Sequence, residues 1–342
     1  MKISYIWLKE LLPGLQQSPT EVAETLTMHS FETVVETTWQ IDPKIVTVQI
    51  QKLEKHPQAD RLRLVTVTDG SRSITVVCGA PNIKEGDIVP YSPVGATVVD
   101  DNGQPFVVKE AAIRGVTSPG MLNSVRELGL GKWHAGVWVL PPDTPLGVSL
   151  TQLVPNDTIL NADVPPNRGH DCLSYVGIAR ELAALLKLTV TEPELPSLAT
   201  PQPSVEGWTI EFKPSRHVPR YMGAVIHTAT AQPSPLWLQA RLLASGTRPI
   251  NSIVDVSNYV MYETGNPIHT FDAKKLPGKT VGVRFATKKE SLRTLDDIDR
   301  QLGRDILVIT SDDKPVAIAG IMGGESSEVD EATTDIFLEV AN

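Results

Sequence analysis

The 342-residue sequence has few cysteines, few aromatic residues and no excess of positive charge. Its two cysteines, Cys78 and Cys172, lie far apart and form no Cys-x-x-Cys pair. This excludes a disulfide framework and a cysteine-rich zinc site, and it is typical of a reducing cytoplasm. The net charge of −9 argues against a protein that holds nucleic acid by charge alone.

Long hydrophobic runs are also missing. No apolar stretch approaches the roughly 20 residues that span a bilayer, so no membrane helix is expected. The apolar run from Ile3 to Leu8 is interrupted by Lys9 and Glu10, which does not fit a signal peptide. The hydrophobic share of 41% and charged share of 21% are typical of a soluble globular protein. The length predicts two or three domains.

Residues 1–39 and 152–190 predict one small domain of mixed helices and strands. The segment from Ser18 to Glu21 has the form of a capping box, with proline at the first helical position. Apolar residues at helical spacing predict a second helix: Tyr175, Ile178, Leu182 and Leu185. Neither segment is long enough for its own core. We expect them to form one discontinuous α+β domain, into which the intervening residues are inserted.

Residues 40–151 predict a small antiparallel β-barrel. Apolar and polar residues alternate in the first run, Ile45–Leu53, where Val48 and Ile50 point one way and Thr47 and Gln49 the other. Further short runs follow, separated by turns, at Leu62–Val67, Ile74–Cys78, Ile88–Pro90 and Phe106–Ile113. Short strands with regularly placed turns are typical of such a barrel.

Two motifs in this segment are more specific than the alternation. They run from His56 to Leu62, with Cys78–Asn82 downstream, and from Arg114 to Leu122, followed by Glu127–Gly129. Together they resemble the tRNA-binding OB-fold domain of several synthetases and tRNA-binding cofactors. The resemblance implies these tRNA-binding residues: His56, Asp60, Asn82, Arg114, Ser118 and Met121. Because 11 basic and 11 acidic residues leave residues 40–151 neutral, a spacer barrel without RNA affinity is the alternative.

A proline-rich linker is expected at residues 191–206, followed by a third domain at 207–342. The predicted elements of this domain are a helix at Pro235–Ala244, capped by Ser234, and strands at Arg220–Ile226, Val281–Arg284, Ile306–Ile309, Val316–Ala319 and Asp335–Val340. The sequence stops at Asn342 without a closing cap or polar tail, so we expect the domain to be truncated there.

The stretch Thr247–Asp272 is the densest gathering of small polar side chains, and it predicts a short helix between two turns. Val256, Tyr259 and Val260 are expected to bury one flank of this helix. The other flank carries Asn251, Asn258 and Tyr262, and His269 follows a Gly-Asn-Pro turn. These residues predict one wall of a pocket. The alternative is a structural histidine with amides that cap turns.

Motifs along nearly the whole sequence resemble the β subunit of bacterial phenylalanyl-tRNA synthetase. They are Pro166–Arg168 with Asp171–Ser174, the Arg248–Tyr259 stretch, Pro267–Asp272, Ala319–Glu325, and Leu338–Glu339 with Ala341. The last four resemble its B3/B4 editing module, which hydrolyses tyrosine wrongly attached to the phenylalanine tRNA. The resemblance places aminoacylation in a separate α subunit.

The resemblance also implies roles for individual residues. Glu339 would accept the phenolic hydroxyl of tyrosine, and the catalytic set would be His269, Ser257, Asn258 and Glu339. The substrate-binding set would be Arg248, Asn251, Ala319, Gly320, Met322, Gly323 and Ala341. No Gly-x-Ser-x-Gly elbow, reactive Cys–His motif or HExxH metal site occurs. Water is therefore expected to attack, and no metal site is expected.

Three functions are compatible with these residues. The first is an N-terminal part of the synthetase β subunit that binds tRNA and edits. The second is a non-catalytic tRNA-binding or assembly module, and the third is a free-standing deacylase. By the resemblance, the partners are tRNA(Phe) and the α subunit in an (αβ)2 assembly, in the cytoplasm, without membrane or DNA. No cofactor is expected in this chain, whereas ATP and Mg2+ are implied for the holoenzyme.

Overall fold

The computed structural model describes residues 1–194 and 204–341, and the chain divides into two compact units. The first unit contains residues 1–191 and 233–249, and the second contains residues 192–232 and those from 250 onward. Most of the predicted proline-rich linker, residues 195–203, lies outside the described residues. Helices and sheets are mixed in both units, as the sequence predicts.

The first unit is built from strands and mostly short helices. Its strands are β1 (Lys2–Ser4), β2 (Thr33–Thr38), β3 (Val46–His56), β4 (Ala59–Thr68), β5 (Ser73–Cys78), β6 (Ile88–Pro93), β7 (Thr97–Val99), β8 (Pro105–Val107), β9 (Ala111–Ile113), β10 (Val116–Ser118), β11 (Gly120–Leu122) and β12 (Thr158–Ala162). Its helices are α1 (Tyr5–Leu11), α2 (Pro19–His29), α3 (Leu150–Leu153), α4 (Gly169–Cys172), α5 (Tyr175–Leu186) and α6 (Leu236–Ala244).

Strands from residues 1–39 and 152–190 share one sheet, in the order β1-β12-β2. Helix α2 begins with the predicted capping box, in which Ser18 and Glu21 bond each other's backbone N–H groups. Helix α5 places Tyr175 against Trp7 of α1, with ring centroids 3.7 Å apart. Aromatic stacking of this kind stabilises the contact beyond the area it buries.

The middle of the first unit is a five-stranded antiparallel sheet, in the order β11-β6-β3-β4-β5. The predicted alternation holds for Val48 and Ile50, which are buried. Thr47 points to the other face but is also buried, because the chain near residue 145 covers it and accepts its hydroxyl at 2.6 Å. The predicted single strand Phe106–Ile113 is wrong, because the structure divides it into β8 and β9.

Among its described residues, the second unit contains two larger sheets and one α-helix. Its elements are β13 (Ser204–Val205), β14 (Trp208–Glu211), β15 (Tyr221–His227), α7 (Ser252–Thr264), β16 (Ile268–Asp272), β17 (Thr280–Phe285), β18 (Ser291–Arg293), β19 (Asp299–Gln301), β20 (Leu307–Ser311), β21 (Lys314–Ile318), β22 (Met322–Gly323) and β23 (Asp335–Ala341). One sheet has the order β13-β14-β17-β20-β21-β22, and the other has the order β15-β23-β16. Their core includes Trp208, Phe271, Val281, Ile309 and Phe337.

Two local predictions are wrong. Helix α6 begins at Leu236 with Pro235 as its N-cap, and no side chain caps it. Ser234 is instead buried, and its carbonyl accepts a hydrogen bond from Gln239 at 2.8 Å. In α7, Val256 is 50% exposed rather than buried. The buried side of α7 is formed by Ile253, Asp255 and Ser257.

Candidate functional site

The three-stranded sheet of the second unit places a carboxyl and an imidazole opposite each other. Glu339 of the central strand β23 is aligned with Gly223 of β15 on one side and with His269 of β16 on the other. Directly opposed residues in an antiparallel pair share a face of the sheet, with Cβ atoms about 5 Å apart. Glu339 and His269 therefore face the same side.

That side of the sheet is the core of the unit. Alternate side chains of a strand share a face, so Glu339 lies beside Phe337. Phe337 is buried and packs against Trp208, with ring centroids 5.1 Å apart. Glu339 is 8% exposed. Burial raises the pKa of Glu339 to about 7, and the neighbouring Tyr221 hydroxyl partly opposes this shift.

His269 lies between an aromatic ring and a glycine. Its ring meets that of Phe271 edge-on, with centroids 4.4 Å apart. A Cβ atom at Gly323 would lie 2.7 Å from Cε1 and 2.8 Å from Nε2 of His269. Strand β22 therefore approaches the imidazole this closely because residue 323 has no side chain. Burial lowers the pKa of His269 to about 4, so the imidazole is neutral at neutral pH.

Tyr221 also faces Glu339, although the sequence analysis did not identify it. It is aligned with Ala341, two residues along β23 from Glu339, so the two side chains share a face. Tyr221 is 4% exposed, and its hydroxyl has no hydrogen-bond partner among the described residues. Burial and the Glu339 carboxylate both raise the pKa of Tyr221. The feature that identifies Tyr221 is the pairing of β15 with β23, and no local sequence motif encodes this pairing.

Helix α7 packs on the other face of this sheet. Its Ile253 clusters with Ile336, and Ile336 alternates with Phe337 along β23, so it faces away from Glu339. The structure therefore does not bring Ser257 and Glu339 to the same face. The Ser257 hydroxyl is buried and donates to the carbonyl of Ile253 at 3.1 Å.

The two predicted asparagines of this region have different surroundings. Asn251 is the N-cap of α7, and its Oδ1 accepts hydrogen bonds from the N–H groups of Ile253 and Val254, both at 3.1 Å. The alternative reading of capping amides therefore describes Asn251. Asn258 lies one turn further along α7 than Val254 and is half-buried.

The remaining predicted substrate-binding residues lie in three places. Gly320 is exposed with φ +68°, and a Cβ there would meet nothing within 4 Å. Ala319 and Met322 are half-buried on either side of this turn. Ala341 is exposed at the end of β23. Arg248 is exposed and belongs to the first unit, whereas the other predicted site residues of this group belong to the second.

The predicted tRNA-binding residues of the first unit fall into buried and exposed groups. His56 is buried, with Nε2 3.1 Å from the Ile113 carbonyl and Nδ1 accepting from Gln58 at 3.1 Å. Both ring nitrogens are thus used to hold a loop. Asp60 and Arg114 are exposed. Arg114 and the next residue have φ values of 49° and 82° and form the two-residue turn between β9 and β10.

Asn82 and Ser118 hold neighbouring segments together. The Asn82 side chain donates to the Val137 carbonyl at 2.8 Å and accepts from the Val137 N–H at 3.0 Å. The Ser118 hydroxyl accepts from the Val77 N–H at 3.0 Å and donates to the Gly120 carbonyl at 2.9 Å. Ser118 and the half-buried Met121 also line a cavity of about 560 Å³.

Neither a metal cluster nor a membrane helix is found in the described part of the chain. Within residues 1–194 and 204–341, no group of three or more His, Cys, Asp or Glu side chains is arranged to hold a metal ion. No helix over the same residues is long and apolar enough to cross a membrane.

Two family models match separate parts of the chain. A model described as a putative tRNA binding domain matches residues 45–149, which include the five-stranded sheet. A model described as a B3/4 domain matches residues 217–342, which include Tyr221, His269 and Glu339.

Individual relatives match over the whole chain. The phenylalanine--tRNA ligase beta subunit of Dehalococcoides mccartyi is 43% identical over 349 residues, and that of Syntrophus aciditrophicus is 39% identical over 345 residues. Each alignment covers 100% of this chain and 42% of the relative. The chain thus spans about two fifths of the length of these relatives.

A solved structure gives a weaker match. An N-terminal fragment of the phenylalanyl-tRNA synthetase beta-subunit from Pyrococcus horikoshii aligns with 54% of this chain and 56% of that chain, at 16% identity and a TM-score of 0.32. The family therefore follows from sequence. The chain belongs to the phenylalanine--tRNA ligase beta subunits, and it corresponds to the N-terminal part that carries the putative tRNA-binding and B3/4 domains.

Proposed function

We propose that the second unit of this chain hydrolyses tyrosine mischarged on tRNA(Phe), and that residues 45–149 contribute to tRNA binding. The observation that carries the proposal is the buried Glu339, opposed to His269 on the neighbouring strand. Both residues lie in the part of the chain that matches the B3/4 domain. Few buried carboxyls lack a charged partner unless they have a specific role.

A buried acceptor suits the selection of tyrosine over phenylalanine. The two amino acids differ by one phenolic hydroxyl, and an apolar pocket discriminates weakly when the difference is an added hydroxyl. Glu339 would accept the hydrogen bond of the phenol. Phenylalanine would leave the buried carboxyl unsatisfied, which costs about 1–3 kcal/mol or more for a charged group.

His269 supplies a neutral imidazole on the same face. Its lowered pKa of about 4 makes it a weak base at neutral pH. Its role in the proposal is therefore to orient the attacking water or the ribose by hydrogen bonds. The exposed backbone of Gly320 leaves room for the tRNA end to approach, since Gly320 itself has no side chain.

The first unit is assigned the tRNA contacts. We propose an OB-type barrel for the five-stranded sheet, with the exposed Asp60 and Arg114 as the side chains open to RNA. Because residues 40–151 carry no net charge, their RNA affinity is expected to be weak and sensitive to salt. Arg248, exposed in the same unit, is a candidate for contact with a tRNA phosphate.

The activity of the whole protein is part of the proposal. We propose that the parent β subunit assembles with an α subunit as (αβ)2 in the cytoplasm. Aminoacylation of tRNA(Phe), with ATP and Mg2+, would then take place in the α subunit. The chain described in this structure would supply tRNA binding and editing to that assembly.

The test is deacylation of tyrosyl-tRNA(Phe) and phenylalanyl-tRNA(Phe), by this chain and by the complete synthetase. We expect tyrosine to be released at least ten times faster than phenylalanine, and we expect His269→Ala to slow its release. The matched control is His29→Ala, because His29 is an exposed histidine of the first unit. Release of neither amino acid by the complete synthetase, with tRNA binding intact, would instead support a non-catalytic tRNA-binding module.

A further inference from the structure

Tyr221 stands out because a buried hydroxyl usually has a hydrogen-bond partner. Large buried phenols keep an apolar ring inside and bring the O–H to an acceptor or to water. The Tyr221 ring does pack in the core, with its centroid 6.0 Å from that of Phe212. Its hydroxyl, however, forms no hydrogen bond among the described residues. This leaves one buried donor whose partner has to be identified.

The neighbouring strand supplies one acceptor for this donor. Tyr221 pairs with Ala341, and Glu339 is the next residue of β23 on the same face. The residue of β15 directly opposite Glu339 is Gly223, which has no side chain of its own and lies under the ring of Phe337. Diagonal neighbours across an antiparallel pair are within reach of aromatic and long side chains. The phenol and the carboxyl already influence each other's pKa values, which places their polar ends close together.

We propose that Tyr221 is a positioning residue, whose hydroxyl donates to one oxygen of Glu339 and leaves the other oxygen free for the phenol of a bound tyrosyl group. This inference rests on the editing function proposed above and deepens it. A carboxylate has two oxygens and about four acceptor sites, so it accepts an internal phenol and a substrate phenol together. The internal hydrogen bond fixes which oxygen faces the substrate.

The surroundings of Glu339 offer few competing groups. On the flanking strands, the titratable side chains that face it are Tyr221 of β15 and His269 of β16. The opposing sheet contributes Val281, Ile309 and Val316 to the shared core, all apolar. A hydrogen bond from Tyr221 to the carboxylate favours its ionised form. Removing the hydroxyl therefore makes ionisation of Glu339 harder.

The experiment is Tyr221→Phe in the complete synthetase, because phenylalanine keeps the ring and removes the hydroxyl alone. We expect the rate of tyrosyl-tRNA(Phe) deacylation at pH 7 to fall on the order of tenfold, as for a lost hydrogen bond to a charged group. We also expect the rise of this rate with pH to shift to higher pH, so that the loss shrinks at pH 8.5. The tyrosine-to-phenylalanine ratio should fall in parallel.

A matched control and a stability measurement separate this role from a structural one. In Tyr5→Phe, a phenol of the first unit loses its hydrogen bond to the Gln17 carbonyl, and no change in deacylation is expected. If Tyr221 had only a structural role, removing its unpartnered hydroxyl would leave the pH profile unchanged and the melting temperature equal or higher.

The outcomes are distinguishable from failure of the editing proposal. A wild-type synthetase that does not deacylate tyrosyl-tRNA(Phe) would overturn editing itself. A wild-type synthetase that edits, with a Tyr221→Phe variant that edits equally at every pH, would overturn the role of Tyr221 alone.

Discussion

Glu339 and His269 are directly opposed on neighbouring antiparallel strands, and burial moves both toward their neutral forms. It raises the pKa of the Glu339 carboxyl to about 7 and lowers that of the His269 imidazole to about 4. Near neutral pH the pair therefore contains a neutral imidazole and a carboxyl close to its midpoint. This explains how the buried Glu339 and the half-buried His269 can lie side by side without forming an ion pair.

The rate of tyrosine release should depend on pH through Glu339. The ionised carboxylate is the stronger acceptor for a phenol, so deacylation of tyrosyl-tRNA(Phe) should increase as pH rises through about 7. His269 titrates well below this range. In Glu339→Gln, which has no charge to titrate, this increase should be absent. If the rate of the variant still increases with pH as in the wild type, a group other than Glu339 is responsible for the titration.

The folding stability of the second unit should also respond to Glu339. A carboxyl whose pKa is higher in the folded state contributes stability that is fully present below its unfolded pKa, near 4.5, and is lost as pH rises through about 7. Glu339→Gln should therefore gain stability relative to wild type between pH 5 and pH 8.5. The gain is on the order of 3 kcal/mol at most. Urea denaturation at both pH values measures this gain. If the difference in unfolding free energy between the variant and the wild type does not change with pH, Glu339 is not a buried carboxyl that ionises in this range.

Gly323→Ala tests the position of the imidazole. The added methyl would overlap the His269 ring at less than 3 Å, so the ring must move away. We expect tyrosine release to fall at least tenfold, since small displacements of orienting groups have large effects on rate. Gly14→Ala is the control, because its methyl would meet Leu188 at an ordinary 3.4 Å. Equal activity of both variants would show that His269 does not need this position.

In the first unit, two substitutions should distinguish a residue that stabilises the fold from a residue that contacts RNA. Asn82→Ala removes both hydrogen bonds to Val137, so we expect it to destabilise this unit by about 1–2 kcal/mol. Arg114→Ala removes an exposed side chain from a turn, so we expect unchanged stability, weaker tRNA binding and a salt slope reduced by about 1. Thermal denaturation and tRNA binding at several salt concentrations measure both. The opposite pattern would make Asn82 the contact residue.

Local sequence patterns predicted the elements that depend on near neighbours. The capping box of α2 and four strands of the five-stranded sheet, β3 to β6, follow from spacing, whereas β11 was not predicted. The buried side of α7 did not follow, because Asp255 is buried and accepts from the Ile250 N–H at 2.8 Å while Val256 is exposed. Apolar spacing cannot anticipate a buried carboxylate that holds the start of its own helix.

The candidate site depends on strand pairing between distant parts of the chain. Glu339 and His269 were predicted through the resemblance of their motifs, but their alignment across two strands is a property of the fold. Tyr221 belongs to no motif, and it reaches Glu339 through the register of β15 and β23. Burial of these groups, which determines their pKa values, depends on the opposing sheet and cannot be obtained from spacing.

The most direct test of tyrosine recognition by Glu339 is the ratio of tyrosyl-tRNA(Phe) to phenylalanyl-tRNA(Phe) deacylation in Glu339→Ala. The control is Glu325→Ala, an exposed acid of the same unit that pairs with Arg293 at 2.8 Å. We expect the ratio to collapse toward one in Glu339→Ala and to be unchanged in Glu325→Ala. A ratio in Glu339→Ala equal to that of the wild type would contradict the assignment of Glu339 as the group that recognises tyrosine.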